Sequence, residues 1–138
     1  MLRTNYLVDM KKGRPRQEIT EKELVIMKML WAHGPLFVRE MVALYDEPRP
    51  HFNNVSTLVR ILEQKRHVAH EVVGGNHRFY ALTRQDEVCR RRFGEMVKDY
   101  FSNSYKQMVS ALVADEKISA DELREILELI EKNTDSKQ

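Results

Sequence analysis

The sequence predicts a mostly α-helical protein with a small β-hairpin, and two observations support that fold class. From residue 19 to 64, and again from 84 to 132, apolar residues recur at the three- and four-residue spacing of amphipathic helices. Between these regions, in VAHEVVGGNHRFYAL, the apolar spacing changes to two residues on either side of a Gly-Gly-Asn turn. Three helices followed by a hairpin predict an N-terminal winged helix-turn-helix, with a C-terminal helical region after it.

The first predicted helix lies between a capping box and a glycine-proline stop. Thr20 and Glu23 have the spacing at which each side chain satisfies the backbone N–H group of the other. Gly34 and Pro35 end the periodic segment. The inward residues are expected to be Leu24, Met27, Leu30 and Trp31, broadened by Ile26 and Met29.

The second and third helices are predicted on either side of DEPRPHF, where two prolines cannot continue a helix. The second helix covers about residues 38–45, with Met41, Val42 and Leu44 facing inward. The third begins near Asn53, because Asn is favoured as an N-cap. Its core-facing positions are Val55, Leu58, Val59 and Leu62.

The β-hairpin that follows is predicted from its turn. Gly74, Gly75 and Asn76 tolerate the positive φ angles of a tight turn. The flanking strands should be Val68–Val73 and Arg78–Leu82. This hairpin would be the wing.

The helices predicted beyond the hairpin, over about residues 84–102, 104–113 and 119–132, carry more apolar surface than they can cover among themselves. A second copy of the chain is the simplest partner that would bury this apolar surface, so a symmetric homodimer is expected. The interface residues should be Phe93, Val97, Phe101, Met108, Leu112, Leu123, Ile126, Leu127 and Ile130. The predicted domains are a basic arm at 1–18, a winged-helix DNA-binding domain at 19–82 and a helical dimerisation domain at 83–138.

The charge is unevenly distributed along the 138 residues. Up to Leu82 there are 13 Lys/Arg and 9 Asp/Glu, and the remainder has 10 and 12. A basic half facing a polyanion fits this pattern. In the basic arm, Arg14 and Arg16 flank a proline and could enter a DNA minor groove; a solvated tail is the alternative.

Composition and motifs argue against several classes of function. One cysteine, Cys89, allows no internal disulfide, and no membrane span or signal peptide is evident, so a cytoplasmic protein without membrane insertion is expected. No catalytic motif is recognisable, and we expect neither an enzyme nor a cofactor. Three histidines lie near the hairpin, namely His67, His70 and His77. The carboxylate or thiolate ligands that a metal site would need are not placed beside them at a fixed spacing, so a polar hairpin surface or phosphate contacts are expected instead.

The polar side of the third predicted helix has the residue types that bind DNA. Asn53, Thr57, Arg60 and Gln64 cluster opposite the apolar stripe, and hydrogen-bonding side chains on a helix can read base edges in the major groove. Further contacts are predicted from Ser56, from Arg39 at the start of helix two, and from His77 and Arg78 on the hairpin. Two alternatives stay open: a winged-helix protein-interaction module without a DNA partner, and an enzyme or redox sensor centred on Cys89.

Over about residues 19–132 the sequence resembles the penicillinase-repressor family of bacterial transcription regulators, BlaI, MecI and CopY. The segments that carry the resemblance are ITEKELVIMKMLW, NNVSTLVRILEQKRHVAH, RFYAL and ISADELREILELIEK. It implies a homodimeric repressor of a dyad-symmetric operator, relieved by a signal such as proteolysis through a membrane sensor. It also places Asn53, Asn54, Ser56 and Thr57 at base- and phosphate-contacting positions and Arg78 in the wing.

The sequence departs from the family pattern at identifiable positions. Ile61 stands where a basic residue is usual, and Arg66 stands where a glycine would end the third helix. The terminal segment NTDSKQ lacks the paired cysteines of the copper-responsive members. At the cleavage position of the antibiotic-responsive members, an Asn-Phe bond is replaced by Ala111-Leu112.

Overall fold

A computed structural model of the chain describes residues 17–136, which divide into two compact units between Val88 and Cys89. Within these residues the helices are α1 (Glu21–His33), α2 (Val38–Leu44), α3 (Phe52–Gln64), α4 (Gln85–Phe101), α5 (Tyr105–Ala114) and α6 (Ala120–Ser136). The strands are β1 (Leu36–Phe37), β2 (Val68–Val73) and β3 (Asn76–Ala81).

The three strands form one antiparallel sheet in the order β1-β3-β2. Gly74 and Gly75 make the two-residue turn between β2 and β3 with φ angles of 56° and 79°, and Asn76 is already the first residue of β3. Strand β1 was not predicted, because two residues show no periodicity; it pairs Leu36 with Phe79. The predicted fold class, mostly helical with a small β-hairpin, is confirmed, and β1 adds a third strand to that hairpin.

Helix α1 begins and ends where its caps predict. Glu23 N donates to Thr20 Oγ1 over 3.2 Å, and Thr20 N donates to Glu23 Oε1 over 3.0 Å. Ile26 has no solvent exposure, whereas Leu24 and Trp31, both expected to face inward, are only partly buried. Trp31 lies at the edge of the core because its Nε1 donates to the Thr83 carbonyl, 2.8 Å away.

Helix α2 buries a different set of residues from the one predicted. Met41 is fully buried and Val42 partly buried, but Leu44 is 41% exposed, and the prediction for Leu44 is wrong. Two positions along a helix turn the side chain by about 200°, so Val42 and Leu44 cannot face the same core. The inward line instead begins at Val38, which follows directly from β1.

The N-cap of α3 is His51 rather than an asparagine. His51 Nδ1 accepts a hydrogen bond from Asn53 N over 3.2 Å, and the helix begins at Phe52. Asn53 and Asn54 therefore lie inside the first turn with exposed side chains. The buried residues of this helix are Val55, Val59 and Leu62.

The end of α3 is closed by two backbone hydrogen bonds around a left-handed residue. Arg66 has a φ angle of 69°; its N–H donates to Glu63 O over 3.0 Å, and His67 N donates to Leu62 O over 2.9 Å. This is the Schellman arrangement, in which glycine usually occupies the left-handed position. Arg66 therefore accepts the strained conformation that the missing glycine predicts.

A buried ion pair joins the end of α3 to the start of α1. Lys65 Nζ lies 2.8 Å from Glu23 Oε1 and 2.9 Å from the Glu18 carbonyl. Burial raises the pKa of Glu23, but hydrogen bonds from Lys65 and Thr20 and the Lys65 charge outweigh it, so the pKa of this carboxyl lies below its usual value. Glu23 is thus held ionised although it is only 3% exposed.

His67 is a buried structural residue, which corrects its prediction as polar hairpin surface or phosphate contact. It is 1% exposed, and its Nε2 lies 2.6 Å from the Gln17 carbonyl, which can only accept. In the neutral ring Nδ1 is then the acceptor for the Thr83 hydroxyl, 2.7 Å away. The imidazole therefore links residue 17 to the segment after the hairpin.

The C-terminal unit leaves much apolar surface exposed. Among the residues predicted at the dimer interface, Val97 and Met108 are buried in the single chain, and Phe101, Leu112 and Leu123 are partly buried. The exposed members, at 40–57% of their surface, are Phe93, Ile126, Leu127 and Ile130. Dimerisation itself stays a prediction.

Arg66→Gly should stabilise the fold relative to Arg66→Ala by about 1 kcal/mol. A left-handed conformation costs a residue with a Cβ about 1–2 kcal/mol, and glycine avoids this cost. The greater conformational entropy that glycine loses on folding offsets part of the gain. Urea unfolding of both variants would measure the difference. The alanine variant also lacks the arginine side chain, so the comparison isolates the backbone effect. Equal stabilities would show that the backbone at residue 66 carries no such cost.

Candidate nucleic-acid interface

The polar side of α3 lies opposite its buried stripe, as the helical spacing predicts. Asn53, Thr57, Arg60 and Gln64 are all exposed. The Thr57 hydroxyl donates to the Asn53 carbonyl over 2.9 Å, so toward a ligand it offers its lone pairs and its methyl group. This side of the helix is a continuous hydrogen-bonding surface.

A groove of about 420 Å³ lies beside this helix, between the start of α2 and the wing. It brings together four residues that were predicted separately, namely Arg39, Ser56, Arg60 and His77. The other lining residues are Phe37, Val38, Phe52, Gly75, Asn76 and Phe79. Because the lining includes two arginines and no carboxylate, the groove favours an anionic ligand.

Arg39 is held at the rim of the groove by an aromatic ring. Its guanidinium carbon lies 4.6 Å from the centre of the Phe37 ring, within the range of a cation–π interaction. The side chain of Arg39 remains exposed. The groove thus has a positioned cation on the α2 side and Arg60 on the α3 side.

Phe52 is a groove residue that the sequence reasoning did not identify. It is the first residue of α3, is 50% exposed, and precedes Ser56 and Arg60 by four and eight positions. That spacing places all three on one helix face. The spacing was present in the sequence, but a predicted helix start at Asn53 left Phe52 outside the helix.

Arg78 lies on the wing but is paired with a carboxylate. It stands opposite Glu71 on the neighbouring strand, and its Nε donates to Glu71 Oε1 over 2.9 Å, with a second contact from Nη2. Its side chain is 39% exposed and that of Glu71 is 49% exposed. The cation predicted to touch a phosphate is therefore largely neutralised in the unbound chain.

One histidine of the wing contacts α3, and a second histidine of the wing stacks on the first. His70 Nδ1 lies 2.5 Å from Glu63 Oε2, and the His70 and His77 rings stack with centroids 4.0 Å apart and planes inclined by 11°. His77 also lines the groove. Within residues 17–136 no three His, Cys, Asp or Glu side chains are placed to hold a metal ion. The His70–Glu63 contact therefore links the wing to α3.

Three further findings concern residues and segments named in the sequence analysis. Arg14 and Arg16 of the basic arm lie outside the described residues. Cys89 is exposed. None of the helices between residues 17 and 136 combines the length and the apolar composition that a bilayer crossing requires.

Comparison with known proteins supports the resemblance seen in the sequence. The model of the family described as penicillinase repressor matches residues 19–132. No curated protein sequence matches the chain. Members of this family are regulators, which fits the expectation that the chain is not an enzyme. The chain therefore belongs to the penicillinase repressor family and is a DNA-binding repressor of transcription.

Proposed function

We propose that the protein represses transcription as a homodimer bound to a dyad-symmetric operator, with α3 of each copy in the major groove. The observation that carries this proposal is the groove, which gathers Arg39, Ser56, Arg60 and His77 beside the exposed polar side of α3 with no carboxylate in its lining. Such a surface attracts phosphates and presents hydrogen-bonding groups to base edges.

The proposed contacts with DNA are of two kinds, those to the bases and those to the backbone or the minor groove. Asn53, Asn54, Thr57 and Gln64 are exposed along α3 and face the bases. Arg60 reads a base at the junction of α3 and the groove, whereas Arg39 and Ser56 contact the sugar-phosphate backbone, and Arg14 and Arg16 of the arm contact the minor groove. Residues 19–82 form the DNA-binding domain and residues 83–138 the dimerisation domain.

The second copy would cover the apolar side of α6. Ile126, Leu127 and Ile130 are 45–57% exposed, and with the partly buried Leu123 they repeat at i, i+3, i+4 and i+7. A stripe of this kind needs a partner. A twofold dimer would then separate the two recognition helices by one or two turns of DNA, about 10 or 20 bp.

Release from the operator would follow a signal, and cleavage through a membrane sensor protease is the route that the resemblance implies. Ala111 and Leu112, at the family's cleavage position, lie within helix α5 and are partly buried. A protease therefore requires α5 to open locally before it reaches this bond.

Arg60→Ala should weaken binding to the preferred operator by about 1–3 kcal/mol and relax the preference at one base pair, since Arg60 is exposed at the junction of the polar side and the groove. Binding to a panel of operator variants would measure both effects. Arg49→Ala, which removes an exposed arginine outside the groove lining, is the control. A uniform loss over all sequences would make Arg60 a phosphate contact instead.

Glu71→Gln should tighten DNA binding and steepen its salt dependence, because it releases Arg78 from its carboxylate for a phosphate. One additional phosphate contact changes the slope of log K against log salt by about 0.9. Titrations at increasing salt would measure the slope. In the Arg78→Gln background the Glu71 substitution should lose this effect, and an unchanged slope in the single variant would remove Arg78 from the interface.

Leu127→Glu should convert the protein to monomers and weaken operator binding at least tenfold, because it places a charge in the apolar stripe. Sedimentation and binding to full and half operators would measure this. Leu129→Glu adds the same charge at a 61% exposed position outside the stripe and is the matched control. A Leu127→Glu protein that remains dimeric would contradict the proposed interface.

A further inference from the structure

The ring of Phe52 lies outside the set of buried residues that form the hydrophobic core of the described chain. Val55 and Val59 of the same helix have no solvent exposure and belong to that core, whereas Phe52 is 50% exposed and is not one of its buried members. Its ring remains half in water at the edge of a charged groove. The fold therefore leaves an apolar contact surface at this point.

The three phenylalanines that line the groove differ in what they can offer a ligand. Phe79 is 2% exposed and belongs to the core. The face of Phe37 is covered by the Arg39 guanidinium. Phe52 is the one of these three rings with half of its surface accessible.

The position of Phe52 on α3 determines what that ring would meet on DNA. It is the first residue of the helix and shares a face with Ser56 and Arg60. In helix-turn-helix proteins the N-terminal residues of the recognition helix contact base edges in the major groove. Among those edges the 5-methyl group of thymine is the apolar feature, and aromatic rings contact it favourably.

We propose that Phe52 is a specificity-determining residue that recognises the 5-methyl group of one thymine in each half of the operator. The proposal rests on the proposed function and deepens it, since it names a base that the polar residues of α3 do not account for. The charges around the groove favour this occupant, because Arg39 and Arg60 make the groove positive and no carboxylate lines it to repel DNA.

The test removes the methyl group and the ring separately. A preferred duplex is first selected by the full chain from a random DNA pool, and each dT is then replaced in turn by deoxyuridine, which lacks only the methyl group. The wild-type protein should lose about three- to tenfold in affinity at one dT of each half-site, the amount expected for one buried methyl contact. Phe52→Ala should bind the dT and deoxyuridine duplexes equally.

Two further variants control the experiment. Phe52→Leu keeps an apolar side chain and should retain part of the methyl preference. Val72→Ala removes apolar surface from a 65% exposed wing position outside the groove lining and should retain all of it. Thermal unfolding of each variant would verify that it folds, as expected for substitutions at exposed positions.

The possible failures are distinguishable. If a duplex is selected but no deoxyuridine replacement weakens wild-type binding, the role of Phe52 is overturned while the proposed operator function stands. If the methyl preference persists undiminished in Phe52→Ala, another residue reads the methyl group and the assignment is likewise overturned. If the protein selects no sequence at all, both the operator function and the role of Phe52 are overturned.

Discussion

The rotation of α3 about its own axis decides which residues the protein presents, and burial of three side chains sets that rotation. Val55, Val59 and Leu62 have no solvent exposure. Turning the helix by one residue, about 100°, would withdraw them from the core and insert polar groups in their place. Since full burial of each aliphatic side chain contributes about 1.5–3 kcal/mol, the alternative rotations are inaccessible. The polar side of the helix is thus aimed by the packing of its apolar side.

Contacts at the C-terminal end of α3 complete this constraint. The buried Lys65–Glu23 pair ties the end of the helix to the first turn of α1, and Glu63 reaches the wing through His70. The C-terminal end of α3 is therefore held both to α1 and to the wing. The exposed Arg78–Glu71 pair differs from the Lys65–Glu23 pair, because solvent screens it and it therefore contributes little stability.

The parts of the fold that were predictable are those whose signals are local. The capping box at Thr20 and the Gly74-Gly75 turn each depend on a few neighbouring residues, and both are present where the sequence places them. Strand β1 and the burial of His67 were not predictable in this way. Leu36 is a strand residue only because Phe79 lies beside it, and His67 is buried only because Thr83 and Gln17 supply partners for both ring nitrogens.

The residues of the candidate site show the same difference between local and tertiary signals. The sequence by itself determined that α3 is amphipathic, because the 3.6-residue period separates Val55 and Val59 from Asn53 and Thr57 without reference to any other element. Only the tertiary structure decided that Phe52 joins the site and that Arg78 is held by Glu71. The reason is physical: a helical period is a property of consecutive residues, whereas a groove and a cross-strand ion pair exist only after elements distant in sequence have packed together.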